Sequence, residues 1–405
     1  MSVWVIELSH NHHTVWETYV KVMSHALQKP VAGILTKYNW RIISNDVSYQ
    51  ELSHVLVLGK TTDRCFRCSE KKLLFFIQTL YENTVMNLSS LRFVEIKKGD
   101  IVVFPTLDAH INPHANVLLK IIDAYRSKGA FIIGTIHNTD LYGAKGYDYV
   151  PGKELNSWHN KYRWYLWRRW MKNFAWSDKL DLLVTCSDLS IPYDMRDKHI
   201  VIPSRLAEDV QDWYFEDIFR VVVTGSMSES RLNWEYIYFL MESLKGLSKI
   251  EFVFLGKMPR DKYELLKTKY NGKVVAFNEF VNENTFKKML KKSHLIIAPL
   301  LDTRYGVYTI SGSIEADALS YGIPAIVPHF YKSIPEHLLF SRFKTKEELL
   351  SGVKKAYNMW IQDTYSSYRN KVVKENKKYS IDSLSKRIRR KVGELYENSH
   401  HLSRR

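Results

Sequence analysis

Short, almost wholly apolar runs recur along this chain, and between them apolar positions return every three or four residues. In the C-terminal half the runs are Val221-Val-Val-Thr-Gly225, Glu251-Phe-Val-Phe-Leu-Gly256, Lys273-Val-Val-Ala-Phe277 and His294-Leu-Ile-Ile-Ala-Pro299, with helical patterns over 234–247, 260–270 and 283–292. The N-terminal half repeats the scheme. Ser2-Val-Trp-Val-Ile-Glu-Leu8 leads to a helical pattern over 15–27, and Asp100-Ile-Val-Val-Phe-Pro105 to one over 116–127. Ala130-Phe-Ile-Ile-Gly-Thr-Ile-His137, Asp181-Leu-Leu-Val-Thr-Cys-Ser187 and His199-Ile-Val-Ile-Pro203 follow. A strand with no polar face has to be covered on both sides, so strands of this kind alternating with helices predict parallel sheets between helical layers. The expected division is a first α/β domain over 1–205, a second over 206–375 and a C-terminal helix with a basic tail over 376–405. The junction falls between Pro203 and Arg220, where Ser204-Arg-Leu-Ala-Glu-Asp separates the two sets of strands.

The stretch 309–328, Thr-Ile-Ser-Gly-Ser-Ile-Glu-Ala-Asp-Ala-Leu-Ser-Tyr-Gly-Ile-Pro-Ala-Ile-Val-Pro, carries the clearest chemistry. Ser311, Gly312 and Ser313 are small enough for the backbone to approach a ligand. The helix predicted after them would point its first N–H groups and the positive end of its dipole at an anion. Asp317, just over one turn into that helix, is placed to accept hydrogen bonds from the hydroxyls of a ribose or sugar attached to the anion. The same letters also describe a plain helix with a Ser cap and a Gly322-Ile-Pro324 stop. The surroundings decide for the ligand. The turns at Gly225, Gly256 and Ser311-Gly312-Ser313 all follow strands at their carboxyl ends, the edge at which parallel sheets bind ligands.

With these motifs the chain resembles the GT-B glycosyltransferases, most nearly the family 4 group of retaining enzymes. In that family a basic residue six positions after the strand-ending Gly binds the donor diphosphate, which implies that role for Arg231 after Gly225. An acidic residue ahead of a Gly-x-Pro sequence binds the ribose, which implies Asp317 in Asp317-Ala-Leu-Ser-Tyr-Gly322-Ile-Pro324. Two positions depart from the pattern: Ser226 stands where a second basic residue is common, and Thr309 stands where a second Glu contacts the sugar. The resemblance implies two Rossmann-like α/β/α domains facing a cleft, a C-terminal helix crossing back to the first domain, and donor contacts from Gly225, Arg231, Thr309, Ser311, Gly312, Ser313 and Asp317. The acceptor side maps to His10, His12 and His13 after the first strand, Asp108, and Asn138 beside His137. His137 and Arg231 become the catalytic candidates. No cofactor is implied, because the nucleotide sugar is a co-substrate. No metal is expected either, since the histidines lack a Cys or carboxylate at a ligating spacing.

Composition fits two soluble domains: 405 residues, 45% hydrophobic and 25% charged. No apolar run reaches the eighteen or so residues of a membrane span, and a strand starts where a secretory leader would stand, so a cytoplasmic location is expected. Three Cys, at 65, 68 and 186, are too few for a zinc site and read as reduced thiols.

Charge changes the picture. Lys and Arg number 59 against 43 Asp and Glu, a net +16, which favours an anionic partner larger than one nucleotide. Lys161, Arg163, Arg168, Arg169 and Lys172 are interleaved with Trp158, Tyr162, Trp164, Tyr165, Trp167, Trp170, Phe174 and Trp176. Aromatic rings with flanking cations suit the headgroup layer of an acidic membrane, although a helix buried in the first domain accounts for the rings equally well. A second basic run, Lys386-Arg-Ile-Arg-Arg-Lys391, reads as the solvated face of the closing helix. The function expected is transfer of a sugar from a nucleotide-diphosphate donor to a hydroxyl acceptor, a glycan or lipid-linked glycan, at the cytoplasmic membrane face. Two alternatives stand beside it: a sugar transferase or binding protein acting on nucleic acid, and an inactive nucleotide-sugar-binding scaffold.

Overall fold

A computed structural model of the chain describes residues 1–8, 13–36, 39–40, 51–58, 94–107, 115–137, 176–186, 193–208, 217–301 and 313–402. The chain divides into two compact units, Met1–Ser204 with Ile381–Arg405, and Arg205–Ser380.

Unit 1 runs β1 (Val3–Glu7), α1 (His13–Leu27), β2 (Val31–Thr36), β3 (Leu52–Leu58), β4 (Ile101–Phe104), α2 (Ala115–Ser127), β5 (Phe131–Ile136), β6 (Leu182–Thr185) and β7 (His199–Val201). The strands form one seven-stranded sheet in the order β3-β2-β1-β4-β5-β6-β7, parallel throughout. β4, β5 and β6 are buried at every residue, as strands covered on both faces must be. Trp16 seats α1 on the sheet: its ring is fully buried and its Nε1 donates to the Val5 carbonyl at 3.1 Å. Gly33 on β2 leaves the room for that ring, because a Cβ there would come within 2.6 Å of it.

Unit 2 continues with β8 (Phe219–Thr224), α3 (Trp234–Leu244), β9 (Ile250–Lys257), α4 (Arg260–Lys269), β10 (Val274–Phe277), α5 (Glu283–Lys291), β11 (Leu295–Ile297), α6 (Ser313–Tyr321), β12 (Ala325–Pro328), β13 (Leu339–Phe343), α7 (Lys346–Ile361) and α8 (Tyr365–Asn376). Its six parallel strands lie in the order β10-β9-β8-β11-β12-β13. Asn233, Asn282 and Thr345 start α3, α5 and α7 by accepting a backbone N–H three residues on. α6 ends on Gly322, whose φ of 57° no side chain adopts comfortably. The Gly322 and Ile323 N–H groups return to the carbonyls of Leu319 and Ala318, the bonding that closes a helix on a left-handed residue.

The last element, α9 (Ile381–Leu402), belongs to unit 1. Its buried stripe of Leu384, Ile388 and Val392 has helical spacing. Against α1, Ser385 Oγ donates to the Val22 carbonyl at 3.2 Å, and Arg389 Nε to the Ala26 carbonyl at 2.6 Å. The Arg389 cation therefore serves the carbonyl end of α1, where a helix dipole favours positive charge.

Polar groups at the amino edge of the second sheet are structural. Arg369 on α8 is 1% exposed and donates to the carbonyls of Tyr321, at 2.9 Å, and His294, at 3.3 Å. His294 packs against Phe219, with ring centroids 5.0 Å apart, and against Trp360 and Tyr365. Burial, and then the Arg369 and Arg220 charges, push its pKa down to about 3, so it stays a neutral packing residue.

Candidate functional site

Each sheet changes direction once. In unit 2 the strand order reverses between β8 and β11, and in unit 1 between β1 and β4. Parallel sheets bind ligands beyond the carboxyl ends of the strands at such points.

In unit 2 the reversal point is built around Gly225, which follows β8 directly. Its φ is 88°, and its N–H returns to the Leu255 carbonyl at 3.1 Å. Gly256 lies across from it: a Cβ there would stand 1.8 Å from the Gly225 carbonyl oxygen, so the absence of a side chain at 256 is what permits this backbone approach. Arg231 is 6% exposed and faces inward. Its Nη1 donates to the carbonyls of Thr224 at 2.8 Å and Ser226 at 2.9 Å, on either side of Gly225. Its own carbonyl accepts from Leu301 N–H at 2.9 Å, and Leu232 bridges to Leu300 just beyond β11. Arg231 thus clamps the turn as well as bringing a positive charge to it. The expectation from sequence was a side chain given over to a ligand.

Asp317 lies in the second turn of α6 and is 1% exposed. Its Oδ1 is 3.6 Å from Arg205 Nε, while its Oδ2 is buried without a hydrogen-bond partner among the described residues. Arg205 in turn reaches Glu283, the first residue of α5, through Nη1 at 3.0 Å, and its guanidinium lies 5.3 Å from the centre of the Phe286 ring. Burial pushes the Asp317 carboxyl up to about 6; Arg205, the Thr224 hydroxyl and Arg231 pull against that, and Glu283 adds to it. The Thr224 hydroxyl oxygen is itself buried and faces the carboxylate beyond ordinary hydrogen-bond geometry. On the same helix Glu315 is 6% exposed and accepts a hydrogen bond from the Tyr331 hydroxyl.

In unit 1 Glu7, the last residue of β1, is 1% exposed and accepts from the Thr106 hydroxyl at 2.7 Å across the β1/β4 reversal. Next along the sheet, Thr135 Oγ1 donates to the Tyr19 hydroxyl at 2.5 Å. His137 is 6% exposed at the carboxyl end of β5.

The structure therefore puts Gly225, Arg231 and Asp317 in unit 2 and His137 in unit 1, each beside the carboxyl edge of its own sheet. His13 begins α1 and Ser313 begins α6. Thr309, Ser311, Gly312, His10, His12, Asp108 and Asn138 lie outside the described residues. Among the described residues no three His, Cys, Asp or Glu side chains cluster as metal ligands would. Sequence reasoning missed Arg205, Glu283, Glu315 and Glu7. Of these, Glu7 carried a signal, being the single charge that ends an apolar strand.

No family model matches the chain, and no curated protein matches it. Among solved structures it is similar to the pneumococcal O-GlcNAc transferase GtfA in complex with UDP and GlcNAc, with a TM-score of 0.62 and 10% identity over 98% of this chain and 99% of that one. It is also similar to a glycosyltransferase from Rickettsia africae, with a TM-score of 0.59 and 12% identity over 98% of this chain and 99% of that one. A third likeness is to an E. coli structure described as trehalose-6-phosphate bound with UDP-2-fluoro glucose, with a TM-score of 0.58 and 10% identity over 97% and 99%. The fold is GT-B. At these identities the likeness is one of fold, so the chemistry of this GT-B chain has to be argued from its own residues.

Proposed function

We propose that the chain is a glycosyltransferase that moves a sugar from a nucleotide-diphosphate donor to a hydroxyl acceptor. The observation that carries this reading is Asp317: a buried carboxylate with one oxygen unmatched, on the helix that follows β11, beside the point where the second sheet reverses. A ribose offers two adjacent hydroxyl donors to such an oxygen. UDP in the GtfA structure and UDP-2-fluoro glucose in the E. coli structure make a nucleotide sugar the natural candidate for the same fold.

Breaking the donor bond leaves negative charge on the departing diphosphate and positive charge on the sugar. The first N–H groups of α6, from Ser313 on, would offer donors at the positive end of the helix, and Arg231 would add its charge from behind the Gly225 turn. With these two sources of positive charge the scheme draws on no metal ion. Thr309, Ser311 and Gly312 complete the donor side in this reading. His137, with His10, His12, His13, Asp108 and Asn138, would line the acceptor side. A glycan or lipid-linked glycan at the cytoplasmic face of an acidic membrane fits the basic, aromatic segment over 158–176.

The deciding experiment incubates the purified protein with a panel of nucleotide sugars and measures release of nucleoside diphosphate, with and without glycan acceptors. Release from at least one donor, accelerated by an acceptor, supports transfer. A protein that binds a donor and releases nothing is a scaffold, and the enzymatic reading falls.

A further inference from the structure

A carboxylate as far from water as Asp317 keeps its charge at neutral pH only where its neighbours favour it. Four described groups act on it: Arg205 from the segment that opens unit 2, Thr224 at the end of β8 and Arg231 beyond it favour the charge, and Glu283 from α5 opposes it. Of the three that favour it, Arg205 acts most strongly, and it is also the best held. Its guanidinium touches Asp317 Oδ1 at 3.6 Å and Glu283 Oε1 at 3.0 Å while lying over the Phe286 ring. Burial works against the Arg205 charge, but Asp317 and Glu283 more than offset it and hold its pKa above the usual range. The contact engages one oxygen of Asp317 and leaves Oδ2 without a partner among the described residues.

We propose that Arg205 is a positioning residue of the donor site: it occupies Asp317 Oδ1 and keeps the group a carboxylate, so that Oδ2 accepts from the ribose hydroxyls of a nucleotide. Glu283 sets how much of the Arg205 charge reaches Asp317. This rests on the donor-site reading above and adds to it the residue that makes Asp317 usable. Ribose recognition then depends on two residues that lie far from Asp317 in the chain, and it carries its own pH threshold.

The test is calorimetric titration of the full chain with UDP, ADP and GDP and with their 2′,3′-dideoxy forms, across a range of pH. Wild-type protein is expected to prefer the ribose form of at least one nucleotide and to lose that preference on acidification. Arg205→Met removes the favourable charge, so the midpoint should move up by about one pH unit or more. With the midpoint raised from about 6 to about 7, about half of the carboxyl is protonated at pH 7, so affinity there should fall about twofold, further for a larger shift, and should recover in alkali. Glu283→Gln removes an opposing charge, so its midpoint should move down, and Arg205→Lys should restore most of the loss. Loss of packing alone does not produce midpoints that move in opposite directions. Midpoints that stay at the wild-type value in both variants overturn the role of Arg205 while leaving Asp317 as the ribose acceptor. A wild-type protein with no preference for ribose over dideoxyribose removes the donor-site reading and this proposal with it. Thermal melts report whether each variant folds, and if Arg205→Met does not, the direction of the Glu283→Gln shift decides.

Discussion

Arg231 donates from Nη1 to the main-chain oxygen of Thr224 at 2.8 Å, and so a residue expected to face a ligand also ties down the strand end that precedes the turn. The same nitrogen holds the Ser226 carbonyl. Arg231→Met should therefore weaken folding as well as turnover, because one buried and one partly buried carbonyl lose a charged donor at a cost of about 2 kcal/mol. Denaturant unfolding measures the first effect and initial rates the second. A variant that loses tenfold or more in rate at unchanged stability, an estimate for about one charged contact to the leaving group, would show that the carbonyl contacts contribute little.

If Asp317 holds the donor's ribose, donor binding acquires a direction with pH. The folded pKa, about 6, lies above the ordinary 3.8, so the group takes up a proton on folding in acid. The stability this site contributes is fully present below 3.8 and fades as pH rises through about 6, while the carboxylate that ribose needs appears over that same rise. Acidification through about 6 should weaken nucleotide binding without lowering the melting temperature through this residue. Asp317→Asn should bind nucleotide more weakly above about 6, approach wild type well below it, and lose that titration step. Calorimetry beside thermal melts checks both.

The central strands were legible in the sequence because each is built on a short apolar run. β4, β5, β6 and β8 are buried at every residue, and each carries at least three successive apolar residues: 101–104, 131–133, 182–184 and 221–223. β3 and β13 were not found. Each is an edge strand with one neighbour, and Ser53 and His54 in the first, Ser341 and Arg342 in the second, break the run where water reaches it. β2, apolar and adjacent to β1, was readable from its letters and was overlooked. Asp317 could be picked out from its place before Gly322-Ile-Pro324. Arg205 and Glu283 could not, because their relation to it exists only once the segment opening unit 2, α5 and α6 have come together.

Gly256→Ala tests the approach of β9 to the Gly225 turn. The added methyl would meet a main-chain oxygen at 1.8 Å, and backbone cannot swing aside as a long side chain can. A loss of about 3 kcal/mol is expected from overpacking of this kind, together with weaker donor binding as the turn shifts. Chemical denaturation gives the first value. Gly246→Ala, where a Cβ meets nothing within 4 Å, is the matched control.

Residues 158–175 of the aromatic and basic segment lie outside the described residues, and among the described residues no helix is long and apolar enough to cross a membrane. If the segment docks on an acidic surface, each cation contributes about 1 kcal/mol and the five together support reversible binding. The protein should then sediment with vesicles rich in acidic lipid and leave them as salt is raised. Replacing Arg168, Arg169 and Lys172 with Glu should abolish the binding. If wild-type protein ignores such vesicles, the net charge of +16 serves another anion, and a steep salt dependence of binding to nucleic acid is the next measurement.

Unit 1 is closed by α9, a helix separated from the rest of that unit in the chain by all of unit 2, residues 205–380. The consequence is one of timing. As the chain leaves the ribosome, residues 205–380 emerge before 381–402, so unit 2 has every one of its strands while the face of α1 that α9 covers is still bare. The unit begun first is the unit finished last, and until α9 arrives, anything that binds an exposed apolar helix face has its opportunity at α1.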